Sequence, residues 1–129
     1  MAEKSVIRTE AAPAPFQGAP YSQAIRVGDL VFVSGQLPLD PEHAQPRGDT
    51  IAEQTEQVMA NLGAILDAAG SGLDRLVKTT VFLTDLDDFQ GMNEVYARHV
   101  GDRPPARATF EVSRLPSGVL VEIEAVAHA

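Results

Sequence analysis

Leu30-Val31-Phe32-Val33-Ser34-Gly35-Gln36 is β-branched and aromatic over its first four residues rather than cleanly alternating. A strand of that kind is covered on both faces in most folds. Gly28-Asp29 just before it suits a tight hairpin turn, so residues 24–28 read as its antiparallel partner. Downstream, Leu76 to Leu83 includes Thr79-Thr80-Val81 and favours extended backbone. Two strands close the chain, near 107–113 and 119–127, with Pro116-Ser117-Gly118 as the turn between them. In the last, Val119, Val121, Ile123 and Ala125 alternate with Leu120, Glu122, Glu124 and Val126.

The period changes twice to that of a helix. Thr50 and Glu53 stand at capping-box spacing, and Ile51, Val58, Met59, Leu62, Ile65, Leu66 and Ala69 form one apolar stripe ending at Gly70. A second helix is expected from an Asp87 cap, with Phe89 or Met92, Val95, Tyr96 and Val100 inward and Gly101 as the stop. The order is ββ-α-β-α-ββ, with a short extra strand expected at Val6–Thr9. Two helices can cover one face of a mixed sheet in this α+β arrangement. The other face keeps Val, Leu and Phe side chains without a cover, which predicts an oligomer.

The 129 residues fit one domain spanning the whole chain. Ten Lys and Arg against 18 Asp and Glu leave a formal charge of −8, which argues against a broad nucleic-acid or anionic-lipid surface. Cysteine is absent, so a disulfide framework, a thiolate nucleophile and a Cys-based metal site are excluded. No apolar run reaches membrane-spanning length, and Met1-Ala2-Glu3-Lys4 lacks the apolar stretch of a leader, so a cytoplasmic address is expected.

The candidate chemistry is sparse. His43, in a loop, His99, near a helix end, and His128, at the tail, have no metal-ligand spacing and read as surface or capping residues. Gly35 at a strand end permits either a bulge or close approach of a ligand to the backbone. Arg107 enters an extended segment after Pro104-Pro105-Ala106. Its guanidinium there suits either a bidentate grip on a carboxylate or an ion pair with Glu122 or Glu124. Those two glutamates share a strand face, where mutual repulsion raises a pKa or arginines neutralise them. Lys78 reads as a solvent-facing strand lysine or a buried nucleophile.

Five blocks together resemble the RidA/YjgF family over essentially the whole chain. They are Pro20-Tyr21-Ser22-Gln23-Ala24, Ser34-Gly35-Gln36, Val77-Lys78-Thr79-Thr80-Val81-Phe82-Leu83, Pro105-Ala106-Arg107, and Arg114-Leu115-Pro116 followed by Val121-Glu122-Ile123-Glu124-Ala125. The resemblance implies a chorismate-mutase-like fold and a homotrimer with a central barrel, outer helices and pockets between subunits. It implies hydrolysis of enamine/imine intermediates from pyridoxal-phosphate-dependent dehydratases to 2-oxo acids and ammonia. The small-molecule 2-imino acid is then the substrate, with no metal, no organic cofactor, no nucleic acid and no membrane partner.

Carried onto this chain, the resemblance makes Arg107 the carboxylate-binding arginine and Glu122 the residue that orients or activates water. Tyr21 corresponds to a tyrosine reaching the pocket from a neighbouring subunit, and Gly35 to a backbone contact with the ligand. Phe89 and Asn93 correspond to lining residues. Thr109 replaces a cysteine found in some members, leaving its backbone carbonyl to help hold water. Ala19 stands where a glycine usually precedes the Pro-Tyr pair, with Gly18 one position earlier. A trimer that binds small carboxylates or stabilises partners without turnover is the alternative. A ribonuclease role, ascribed to some animal relatives, sits poorly with the −8 charge and the absence of a histidine pair.

Overall fold

The computed structural model describes residues 3–129; Met1 and Ala2, part of the stretch read for a leader, lie outside the described residues. Six strands, β1 (Lys4–Ile7), β2 (Ala24–Val27), β3 (Leu30–Gln36), β4 (Leu76–Leu83), β5 (Ala106–Glu111) and β6 (Val121–His128), form one sheet. Their order is β1-β2-β3-β6-β4-β5. All neighbours are antiparallel except β4 and β5, which run parallel. A parallel pair needs a crossover, and helix α2 (Phe89–Val100) supplies it. Helix α1 (Ile51–Ala68) joins β3 to β4.

Both helices cover the same face. Val31, Val33, Val81, Leu83, Val121, Ile123, Ala125 and Ala127 pack there against Val58, Met59, Leu62, Ile65 and Leu66 of α1 and Met92, Tyr96 and Val100 of α2. Over Leu30–Val33 the alternation in β3 is therefore strict in burial although not in hydropathy. Val31 is sealed, whereas its neighbours Leu30 and Phe32 remain 43% and 45% exposed. Within one chain only one face of β3 is covered, contrary to the expectation of two. Phe110 and Val77 are exposed as well.

The capping box of α1 is present, with Glu53 N–H donating to Thr50 Oγ1 at 3.2 Å and Thr50 N–H to Glu53 Oε1 at 3.1 Å. Gly70 (φ +79°) and Gly101 (φ +74°) follow the two helices in the left-handed region, where glycine avoids the Cβ penalty. Asp87 does not cap α2. A 3₁₀ turn at Leu86–Asp88 precedes the helix, and Asp85 caps that turn by accepting from Asp87 N–H at 2.9 Å.

The extra N-terminal strand lies at Lys4–Ile7 rather than Val6–Thr9. Gln23 draws Thr9 out of the ladder, accepting from its N–H at 2.7 Å and donating to the carbonyls of Thr9, Ala12 and Pro13. β5 ends at Glu111 because its partner β4 ends at Leu83. β6 begins at Val121 because Leu120 N–H turns to Gln54 Oε1 at 2.7 Å, and it reaches His128, opposite Leu30, rather than stopping at 127. The loop with the Ala19 departure has a simple solution. Gly18 carries the left-handed conformation (φ +68°), and Ala19 is extended, which alanine adopts without strain.

Candidate active site

Arg107 pairs with Thr79 across the β4/β5 ladder, so both side chains point to the helix-covered face. β5 is an edge strand, which places Arg107 where the sheet meets α2. On that helix Phe89, Asn93 and Tyr96 fall at four- and three-residue steps and share a face. The Arg107 Cζ lies 4.9 Å from the centre of the Tyr96 ring and 5.4 Å from that of Phe89, within cation–π range of both. The ion pairs among the described residues are His43–Asp40, Arg98–Glu56 and His99–Glu56; Arg107 enters none. The ion-pair alternative with Glu122 or Glu124 is thus not found within the chain.

Among the described residues two polar atoms on these same elements, α2 and β5, lack partners, as does Thr55 Oγ1 on α1. Asn93 Oδ1 and Thr109 Oγ1 are buried and make no hydrogen bond within the described chain. Thr109 stands two residues after Arg107 on the same strand face. Buried polar groups are nearly always satisfied, so a polar ligand or water at this edge would meet a demand the chain leaves open.

Glu122 belongs elsewhere. It pairs with Phe82, three residues from Thr79, so its side chain projects from the opposite face of the sheet. The β3/β6 register shifts between Val33 and Gln36, and the irregularity puts Gly35 directly against Glu122. A Cβ built on Gly35 overlaps Glu122 Oε2 and lies 3.0 Å from its Cδ. The bulge and the close approach are therefore one feature, with the approaching group a carboxylate of the same chain. Ser34, beside Gly35, donates from Oγ to the Ser22 carbonyl at 2.6 Å, which ties the Tyr21 segment to this side. Tyr21 Oη accepts from Phe16 N–H. Its ring lines an open cleft of about 1070 Å³ whose walls include neither Arg107 nor Glu122.

The predicted residues thus separate into two groups on opposite faces of the sheet. Arg107, Phe89, Asn93 and Thr109 gather at the β5/α2 edge; Glu122 and Gly35 adjoin on the open face, with Tyr21 tied nearby through Ser22. Burial, and secondarily the charge of Glu124, holds the Glu122 carboxyl above the ordinary glutamate range. A Glu122 acting as a base must be ionised, so activity falls as pH drops through its raised pKa. Glu124→Gln removes the like charge, and the acid limb of the kcat/KM profile is expected to move to lower pH.

Lys78 is exposed on the open face, near Glu124, and is not a buried nucleophile. Among the described residues no group of three His, Cys, Asp or Glu side chains could hold a metal. No helix among them is long and apolar enough to cross a membrane.

The family model for Endoribonuclease L-PSP matches residues 9–129. The chain belongs to the RidA/YjgF/RutC family. A RutC family protein of Pyrococcus abyssi is 53% identical over 97% of both chains. The 2-iminobutanoate/2-iminopropanoate deaminase of mouse is 44% identical, with 96% of this chain and 90% of that one covered. Among solved structures, RidA from an Antarctic Psychrobacter superposes with a TM-score of 0.92 at 44% identity, covering 97% and 99% of the two chains. The mixed sheet with two helices on one face is the RidA fold. Sequence reasoning placed Tyr96 in the core and missed its contact with Arg107. The available signal was a phenol at an inward position, which needs a partner for its hydroxyl.

Proposed function

We propose that the protein hydrolyses 2-iminobutanoate and 2-iminopropanoate to the 2-oxo acids and ammonia, working as a trimer with its sites between subunits. The observation that carries this reading is Arg107, cationic, partnered by no carboxylate among the described residues and braced on two aromatic rings, with the unsatisfied Asn93 Oδ1 and Thr109 Oγ1 on the same two elements. The name of the mouse relative supplies the substrate class.

The guanidinium donates two parallel hydrogen bonds to the substrate carboxylate and holds the imine carbon in place. The Glu122 carboxylate takes a proton from water as the oxygen bonds to that carbon and the C=N electron pair moves to nitrogen. Protonation of nitrogen in the resulting carbinolamine makes ammonia the leaving group. The hydroxyl proton is lost as the carbonyl forms, and the elements of one water are consumed.

Opposite-face placement explains why association is needed. One chain cannot bring Arg107 and Glu122 to one substrate, but the β5/α2 edge of one subunit set against the open face of another can. The exposed Leu30, Phe32, Val77 and Phe110 provide apolar surface for that contact.

Mixing tests this arrangement. Arg107→Ala and Glu122→Gln homotrimers are each expected to be nearly inactive. Refolded together at equal amounts, they regain activity in about a quarter of their sites, because random assembly pairs an intact Arg107 with an intact Glu122 at that frequency. If the mixture stays as inactive as its components while forming mixed trimers, the two residues do not meet across subunits.

A further inference from the structure

Thr79 sits midway along β4, the strand next to the β5 edge, fully buried and directly opposite Arg107 in the β4/β5 register. Its hydroxyl shares a 2.7 Å hydrogen bond with the Tyr96 hydroxyl, itself nearly sealed from solvent. The Tyr96 ring is therefore fixed at two points, by its helix and by its hydroxyl. Upon that ring lies the Arg107 guanidinium, with the Phe89 ring as second aromatic neighbour. Burial pushes the Tyr96 phenol above its ordinary range, which favours the neutral hydroxyl that makes this hydrogen bond.

A long arginine at a sheet edge has many rotamers, and holding it in one costs entropy that binding must otherwise supply. Among the described residues Arg107 has no carboxylate partner to restrain it. We infer that the buried Thr79–Tyr96 hydroxyl pair is a positioning device for Arg107, setting the ring against which the guanidinium lies so that its fork is already oriented for a substrate carboxylate. This rests on the carboxylate-binding role given to Arg107 above. Thr79 and Tyr96 are positioning residues and touch no substrate. The device explains why a hydroxyl pair occupies a core position where two apolar side chains would pack as well.

The test uses the intact protein and three conservative changes, Thr79→Val, Tyr96→Phe and Tyr96→Leu, beside Arg107→Ala. Two quantities are read: the Kd for 2-oxobutanoate by calorimetric titration, and the Arg107 Nε–H resonance, whose shift reports the ring beneath it. Melting temperature and oligomeric state are checked for each variant. Thr79→Val and Tyr96→Phe are expected to raise Kd about threefold to tenfold and to displace or broaden the Nε–H resonance while the trimer persists. Tyr96→Leu, which removes the ring, is expected to exceed both. If it does not fold, the two milder variants carry the test. Wild-type Kd in both, with binding lost in Arg107→Ala, overturns the positioning role and leaves the arginine's own role standing. A raised Kd with an unmoved Nε–H resonance overturns it too. Unchanged binding in Arg107→Ala removes the clamp, and the positioning role falls with it.

Discussion

Arg107→Ala is expected to lower kcat/KM for imine hydrolysis by about a hundredfold to a thousandfold while keeping the oligomeric state and lowering the melting temperature by only a few degrees. Each charge-assisted hydrogen bond to a carboxylate contributes about 1.5–3 kcal/mol, and a bidentate guanidinium makes two. Against that, the fold loses little. Arg107 is only half-buried, enters no ion pair among the described residues and contributes mainly its contacts with Phe89 and Tyr96. Contacts of that kind amount to about 0.5–1 kcal/mol each at partly exposed sites. Arg107→Lys keeps the charge but loses the planar fork, so it should fall between wild type and alanine. Steady-state kinetics with parallel thermal melts checks both variants. Equal activity in wild type and Arg107→Ala is incompatible with the clamp.

Gly35→Ala is expected to impair activity far more than folding. The new Cβ overlaps Glu122 Oε2, the far end of a flexible side chain rather than backbone. Such a clash is relieved by swinging the carboxylate away, so the stability cost is small, about 1 kcal/mol or less. The catalytic cost is large, because a general base displaced by even one ångström loses its reach to water. A fall of about a hundredfold in kcat/KM is expected. Glu122→Gln should fall at least as far, and combining the two should add little, since both remove the same function. Full additivity in the double variant would mean that Gly35 acts on something other than Glu122.

Much of this molecule was legible in one dimension. Local signals had local causes: the Thr50–Glu53 cap, Gly70 and Gly101 after the helices, and the Gly28-Asp29 hairpin turn all form as the residues indicate. The uncovered sheet face also followed from counting helices against apolar strand faces, although β3 by itself read as covered on both. What escaped was non-local. Asp85 rather than Asp87 caps the turn before α2, because that turn is a 3₁₀ element inserted ahead of the helix. The placement of β6 between β3 and β4 depends on pairings far apart in the chain, and with it goes the face on which Glu122 lies.

The site shows the same division. Gly35 was ambiguous between bulge and ligand approach, since a sequence does not reveal which side chain stands opposite a glycine. The Thr79–Tyr96 bond joins a strand to a helix across the core, and neither residue alone announces it. Family resemblance brought Arg107 and Glu122 together as catalytic partners, whereas the single chain holds them on opposite faces. That separation is physically informative, because under the proposed function the uncovered sheet face would supply Glu122 to a site completed by another subunit.

A coupled assay tests imine hydrolysis most directly. A threonine dehydratase generates 2-iminobutanoate while semicarbazide traps whatever persists, and semicarbazone and 2-oxobutanoate are followed together with intact protein, with Arg107→Ala and with neither. Imine hydrolysis by this protein predicts that the intact trimer sharply lowers the trapped signal and speeds 2-oxobutanoate release, whereas trimeric Arg107→Ala behaves like the blank. A trapped signal that the intact trimer leaves at the blank level, with the threonine-derived and then the serine-derived imine, would contradict it and leave a protein that holds small carboxylates without turning them over.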